Sequence, residues 1–189
     1  MRLTGGRGKG RRLVPPPEGT RPTSSLAREV LFQWLADRVQ GAAVLDLFAG
    51  AGLLGLEALA RGAGSAVFVE RNRAALKVIR ENLRRCGFSE QAKVVAAEVF
   101  AFLKRPERSP VPFDLILADP PYAAVPLERL LAAVTSGDWL AEDGLLLFET
   151  SSRGEIVIPP GWSTVRDKVF GDTRLLLLAP SGEAPGAAG

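Results

Sequence analysis

The sequence contains no histidine. That absence removes a Ser-His-Asp triad, a histidine general base and most zinc sites from consideration. Cys86 is the only cysteine, so there can be no intramolecular disulfide and no cysteine cluster for a metal. It falls late in a predicted helix, just before Gly87, where a packing role suits it better than a nucleophilic one. No apolar run approaches the ~20 residues that a membrane-spanning helix needs. No apolar stretch closely follows Arg2, Gly5, Gly6 and Arg7, so no secretory signal is expected. A soluble, cytoplasmic protein with no membrane partner and no metal is the expectation. Its chemistry must then come from carboxylates, backbone groups, hydroxyls, aromatic rings or an organic cofactor.

What is present suits one globular domain with a small appendage. The chain has 189 residues, 47% apolar and 24% charged, enough to bury a sizeable core. Net charge is +3 and uneven: residues 1–21 carry Arg2, Arg7, Lys9, Arg11, Arg12 and Arg21 against Glu18, leaving the remainder net acidic. A basic arm on a mildly acidic body points to a polyanionic partner, although a solvated terminus would look the same by charge alone. Val14-Pro15-Pro16-Pro17 cannot be helical and reads as an extended arm or a short hairpin.

A helix is predicted after Pro22, capped by Thr23 or Ser24, with an apolar stripe of Leu26, Val30, Leu31, Trp34 and Leu35. Strands then alternate with helices. Strands are predicted at 43–48, 66–70, 93–97, 113–118 and 145–149. Helices are predicted at 53–61, 73–86, 98–104 and 127–135, and Pro106, Pro110 and Pro112 mark an exposed loop. Continuous apolar strands alternating with helices indicate an α/β fold with a parallel sheet covered on both faces. Segments 163–170 and 173–179 flank Gly171-Asp172 and read as an antiparallel hairpin. The expected organisation is a basic arm over 1–22, a domain over 23–180 and a disordered tail over 181–189.

Two constellations carry chemistry. The first is Asp46-Leu47-Phe48-Ala49-Gly50-Ala51-Gly52 at the end of the first strand, a glycine turn that presents backbone N–H groups at a helix N-terminus. Alone it would suit a dinucleotide fold nearly as well. Glu70, closing the second strand, is placed to hold a ribose diol. Glu98, after the third, would meet an adenine edge directly or through the backbone near it. Asp46 discriminates between cofactors. A carboxylate beside the turn repels a pyrophosphate but stabilises the ammonium and sulfonium of S-adenosylmethionine. Two unit charges ~4 Å apart interact by roughly 4 kcal/mol at an effective dielectric near 20, before desolvation costs. A carboxylate inside an apolar strand also has no structural excuse, because burying it unpaired is costly.

The second constellation is Asp119-Pro120-Pro121-Tyr122. Two prolines stiffen the turn and remove N–H donors, so its carbonyl groups are free to accept. Asp119 and the Pro120 carbonyl can each take one N–H of an exocyclic amine, which restores the nitrogen lone pair that the base ring delocalises. Tyr122 can stack on an unpaired or flipped base for about 1–3 kcal/mol. As pure structure, the segment would be only a rigid turn.

These residues resemble the amino-methyltransferases of the class I, S-adenosylmethionine-dependent fold. More specifically, Gly5-Gly6, Gly10-Arg11, Arg21-Pro22-Thr23, Arg28-Glu29, Asp46–Gly50, Leu56–Leu59 with Arg61–Ala63, Glu70 and Asp119–Tyr122 are similar to the RsmD family. That family methylates the guanine N2 amine in small-subunit (16S) ribosomal RNA. The resemblance implies a Rossmann-like, seven-stranded, mostly parallel sheet with a reversed last strand and an N-terminal RNA-binding extension. It implies transfer from S-adenosylmethionine, leaving S-adenosylhomocysteine, with Asp119, Pro120, Pro121 and Tyr122 catalytic. The expected cofactor set is Asp46, Phe48, Gly50, Gly52, Glu70, Arg71, Glu98, Val99 and Asp119. The expected RNA set is Arg2, Arg7, Lys9, Arg11, Arg12, Arg21 and Thr23. The partner would be 16S ribosomal RNA or an assembling small subunit, met by a monomer. Glu98 departs from the family, which more often has Asp there. An adenine-N6 nucleic-acid methyltransferase is an alternative, disfavoured because no target-recognition insertion is evident. A non-catalytic RNA-binding or assembly module is another, disfavoured by the intact Asp119 loop.

Overall fold

Apolar runs become the buried strands. β1 (Ala43–Leu47), β2 (Ser65–Glu70), β3 (Ala92–Ala96), β4 (Phe113–Ala118), β5 (Leu140–Ser151), β6 (Trp162–Phe170) and β7 (Thr173–Pro180) form one sheet in the order β3-β2-β1-β4-β5-β7-β6. Pairings from β3 through β5 are parallel, and β7 is antiparallel to both its neighbours. This is a computed structural model, describing residues 1–16, 25–104, 112–121 and 125–181. The Pro106–Pro110 loop, most of the proposed tail and the cap at Thr23 or Ser24 lie outside those residues.

Alternate strand residues feed two cores. On one face Val44, Phe68, Leu115 and Leu117 pack against α1 (Ser25–Trp34), α2 (Ala36–Val39), α3 (Leu53–Ala60) and α4 (Arg73–Cys86). On the other, Leu45, Leu47, Val69, Ile116 and Ala118 pack against α5 (Val99–Leu103) and α6 (Leu127–Ser136). Trp139 anchors the second core; its indole N–H donates to the Leu103 carbonyl at 2.9 Å. Among the described residues, no helix is long and apolar enough to cross a membrane.

Local chemistry sets α4's limits. The Asn72 side chain accepts the N–H groups of Ala74 and Ala75, and Gly87 turns left-handed at φ +74°, which a glycine does without Cβ strain. The buried face of α1 differs from the predicted stripe. Ala27, Arg28, Leu31, Phe32 and Leu35 are buried, whereas Leu26 is 61% exposed and Val30 and Trp34 are half-buried. The helix is turned so that Arg28 faces a buried acid, an outcome that apolar spacing cannot anticipate. β5 begins five residues before the predicted strand, because Leu140 already pairs with Phe113, ahead of an irregularity that takes in polar Glu142-Asp143 before regular pairing resumes at Leu145. The predicted C-terminal hairpin is present, but β7 lies inside the sheet and β6 at its edge.

Of the two forms expected for the N-terminal arm, the described part is a hairpin. The Leu3 N–H donates to the Arg11 carbonyl at 3.2 Å and the Leu13 N–H to the Met1 carbonyl at 3.0 Å, around a turn at Gly6–Gly8. Leu3 and Leu13 join the core. Gly6 has φ +63°, and a Cβ there would lie 1.8 Å from the Ala60 carbonyl oxygen. Glu57 pins the hairpin to α3. This fully buried carboxylate accepts the Thr4 N–H at 3.0 and 3.1 Å, the Thr4 hydroxyl at 2.5 Å and the Arg61 Nε–H at 3.1 Å.

Candidate active site

β1 delivers Asp46 to the carboxyl edge of the sheet, where Phe48 (φ +59°), Gly50 (φ +55°) and Gly52 (φ +77°) bend the chain into α3. The left-handed conformation costs a residue with a Cβ roughly 1–2 kcal/mol, so Phe48 is held there by its surroundings. Asp46 is 2% exposed, and its Oδ2 accepts the Gly55 N–H at 2.9 Å. A Cβ on Gly55 would lie 2.4 Å from Phe68 Cε1 and 3.0 Å from Asp46 Oδ2, so only glycine permits this approach. Burial holds the Asp46 carboxyl well above the usual carboxylate range. The Gly55 hydrogen bond opposes that rise, and the charges of Asp119 and Glu70 add to it.

Glu70 ties the glycine turn to the next helix. Its Oε2 accepts the Gly50 N–H at 2.8 Å, while Oε1 accepts those of Arg71 at 2.8 Å and Asn72 at 2.7 Å. Glu98 caps α5, accepting the Ala101 N–H at 2.8 Å, and Val99 is buried behind it. Sheet register brings the second constellation alongside the first. Leu47 pairs with Ala118, so Phe48 and Asp119 emerge side by side. Asp119 is half-buried, Pro120 buried and Pro121 exposed. Tyr122 lies outside the described residues, as do Arg21 and Thr23. Arg2, Arg7, Lys9, Arg11 and Arg12 all lie exposed on the hairpin, apart from the carboxylate cluster.

The edge is therefore rich in carboxylates. Among the described residues Asp46 forms no salt bridge, and the charges that act on it are those of other acids. Such a place favours a cationic ligand and repels a pyrophosphate.

The family model described as "Conserved hypothetical protein 95" matches residues 1–179. Ribosomal RNA small subunit methyltransferase D of Escherichia coli strain K12 is 37% identical over 173 residues, covering 90% of this chain and 85% of its own length. The chain belongs to this methyltransferase family. The Haemophilus influenzae member is 34% identical over 174 residues, covering 90% of this chain and 89% of its own. The solved structure of Escherichia coli yhhF superposes with a TM-score of 0.86 at 35% identity, covering 97% of this chain and 99% of that one. The expectations of an enzyme and of a class I methyltransferase fold both stand.

Three buried polar residues near this edge or behind it did not figure among the expected site residues. Asn82, fully buried in α4, accepts the Val14 N–H at 2.7 Å and donates to the carbonyl groups of Val14 (3.1 Å) and Ala51 (3.2 Å). It thus joins the hairpin's exit to the glycine turn. Its signal is an amide on the face that carries Ile79, Leu83 and Cys86. Glu149 is 2% exposed, and because Ala118 pairs with Phe148 it stands beside Asp119. Glu57 is a lone acid in the otherwise apolar α3.

Proposed function

We propose that this protein transfers the methyl group of S-adenosylmethionine to the N2 amine of a guanine in 16S ribosomal RNA. S-adenosylhomocysteine is the other product. The observation that carries this reading is the buried Asp46 carboxylate, its pKa raised first by burial and further by the charges of Asp119 and Glu70, and lacking a cationic partner among the described residues. An ammonium placed there offsets the cost of the buried charge. Glu70 holds the glycine turn in shape and takes the ribose hydroxyls, while Glu98 and Val99 meet the adenine edge. Phe48, Gly50, Gly52 and Arg71 line the remainder. When bound, the cofactor supplies a methyl already activated by a sulfonium.

The chain's own task is to present the amine. The Asp119 carboxylate and the Pro120 carbonyl accept its two N–H groups and point the lone pair at the methyl carbon. With the cofactor bound, the nitrogen would take the methyl as the carbon–sulfur bond gives its electrons to sulfur, and the surplus proton would leave the amine afterwards. No strong base is required, so orientation dominates; well-aligned systems gain up to roughly 7–11 kcal/mol from it. Pro121 stiffens the turn and Tyr122 stacks on the base. Arg2, Arg7, Lys9, Arg11 and Arg12, with Arg21 and Thr23, grip the RNA. The enzyme works as a monomer in the cytoplasm, on free RNA or an assembling subunit.

The test is to supply labelled S-adenosylmethionine with 16S ribosomal RNA and small subunits from a strain lacking the enzyme, and separately with DNA. Label should appear as N2-methylguanosine in the RNA. Label only in DNA, or at adenine N6, overturns the proposal.

Asp46 also predicts a pH dependence. Its folded carboxyl is raised, so the folded chain holds more protons than the unfolded one, and without cofactor stability falls as pH rises through that window. A bound cation favours the ionised form, so S-adenosylmethionine affinity should increase with pH across the same window. Calorimetry in buffers of different ionisation enthalpy should detect proton release. Asp46→Asn should flatten the profile and weaken binding about tenfold or more, since hydrogen bonds to charged groups are worth about 1.5–3 kcal/mol. A flat wild-type profile would contradict this.

A further inference from the structure

The outer face of α4 carries Arg73, Lys77, Arg80 and Arg84, all exposed. Spacings of four, three and four place them in one row along the helix. Among the described residues, Arg73, Lys77 and Arg80 enter no ion pair. Glu81, the single acid between 71 and 85, is already held by Arg84 at 2.9 Å and Arg85 at 2.6 Å. Hydrogen bonds from those two arginines lower its carboxyl to about 2, so it remains ionised on its own partners.

This row is unfavourable to the helix that bears it. Like charges at i, i+4, here Arg73–Lys77 and Arg80–Arg84, each cost a few tenths of a kcal/mol. Arg73 at the first helical position also opposes the helix dipole. Apart from Arg84, which pairs with Glu81 in the last turn, the row brings the helix no ion pair, whereas a polyanion would engage it.

The row is continuous with the hairpin. The Arg11 guanidinium donates to the Arg85 carbonyl at 3.0 Å, Arg7 lies 5.9 Å from the centroid of the Phe88 ring, and Asn82 holds Val14. At its other end α4 begins two residues after Arg71, beside Glu70 and the glycine turn. Residues 1–16 hold five basic side chains and no acid, and residues 71–85 hold six and one. Together these segments carry +10 in a chain of net +3, leaving −7 for the rest. Charge is thus segregated onto one connected strip.

We propose that the exposed row of α4 is a phosphate-tracking surface that leads the backbone of the substrate RNA from the hairpin towards the Asp119 edge. This rests on the ribosomal RNA reaction proposed above. Such contacts release counterions, so each one steepens the salt dependence of binding.

The test compares the full-length wild type with the triple variant Arg73→Gln, Lys77→Gln, Arg80→Gln. Glutamine preserves helix propensity while removing charge. Binding of 16S ribosomal RNA is measured between about 50 and 200 mM salt, where each lost phosphate contact lowers the log–log slope by about 0.7–0.9. The slope should fall by about 2 and affinity at the lowest salt should drop at least about tenfold. Affinity for S-adenosylmethionine should not change. Equal RNA affinity and slope for the two proteins would overturn the proposal. A loss confined to binding of phosphatidylserine vesicles would overturn it too, in favour of a membrane surface. Because binding is read without turnover, a wild type that binds RNA and transfers no methyl would reject the reaction while leaving the surface standing.

Discussion

Asp119→Ala is expected to lower methyl transfer by about 10²–10⁴-fold, a part of the roughly 7–11 kcal/mol that orientation can supply, while S-adenosylmethionine affinity changes by less than about threefold. The asymmetry follows from location. Asp119 leaves β4 beside Phe48, half-buried, whereas the carboxylate placed to meet the cofactor's charge is Asp46. Asp119 acts on Asp46 only through its charge, which pushes the Asp46 carboxyl up. Removing that charge lets Asp46 ionise more readily, which works for cofactor binding. The loss must therefore fall on kcat rather than on cofactor binding. Asp119→Asn keeps one carbonyl acceptor and should retain more activity than the alanine variant. Single-turnover transfer together with equilibrium cofactor binding separates the two effects. Activity surviving in the alanine variant would remove Asp119 from its assigned role.

The largest stability effect should come from Glu57→Ala, with a loss of about 3–5 kcal/mol, as expected when one member of a buried charge network is removed. Thr4 loses the acceptor of its N–H and hydroxyl, and Arg61 loses its ion pair at 3.1 Å. Arg28 stays behind at 3% exposure. Its guanidinium is 4.0 Å from Glu57 and donates to the Arg2 carbonyl at 3.2 Å, but its Nε has no partner among the described residues. Burial already lowers the Arg28 pKa, and Glu57 is the main influence holding it up. At 2–4 °C per kcal/mol for a domain of this size, Tm should fall by about 10 °C. Hydrogen exchange should show the amides of Leu3 and Leu13 losing protection beyond the global change, because Glu57 is what fastens the hairpin to α3. An unchanged Tm would mean that the network is dispensable.

Much of this was legible in the chain. α4 was predicted at its observed limits, because Gly87 and the apolar positions Leu76, Ile79 and Leu83 are local signals. The parallel strands were legible as short apolar runs, and Asp46 stood out because a carboxylate in such a run is too costly to be idle. The family resemblance rested on the order and spacing of Asp46–Gly50 and Asp119–Tyr122 together with segments of the arm, Arg28-Glu29, Leu56–Ala63 and Glu70. Sheet register then places Phe48 and Asp119 together. Other features had no local signature. The face of α1 was misjudged because Leu26 fits an apolar stripe as well as Ala27 does, and the choice came from Arg28 meeting Glu57 on another helix. Asn82 could be marked as an amide on an apolar face, but its partners Val14 and Ala51 are 68 and 31 residues away.

Residue order was sufficient for the elements, the parallel class of the sheet and the two loops at its carboxyl edge, because glycine turns, capping side chains and hydrophobic period act over a few residues. Long-range packing settled the rest: β7 between β5 and β6, the hairpin's place on α3, and the joining of the hairpin's charges to the α4 row. Each of these is a choice among pairings of similar local energy. Only burial and hydrogen bonding between distant segments can make that choice, and neither exists until the chain has folded.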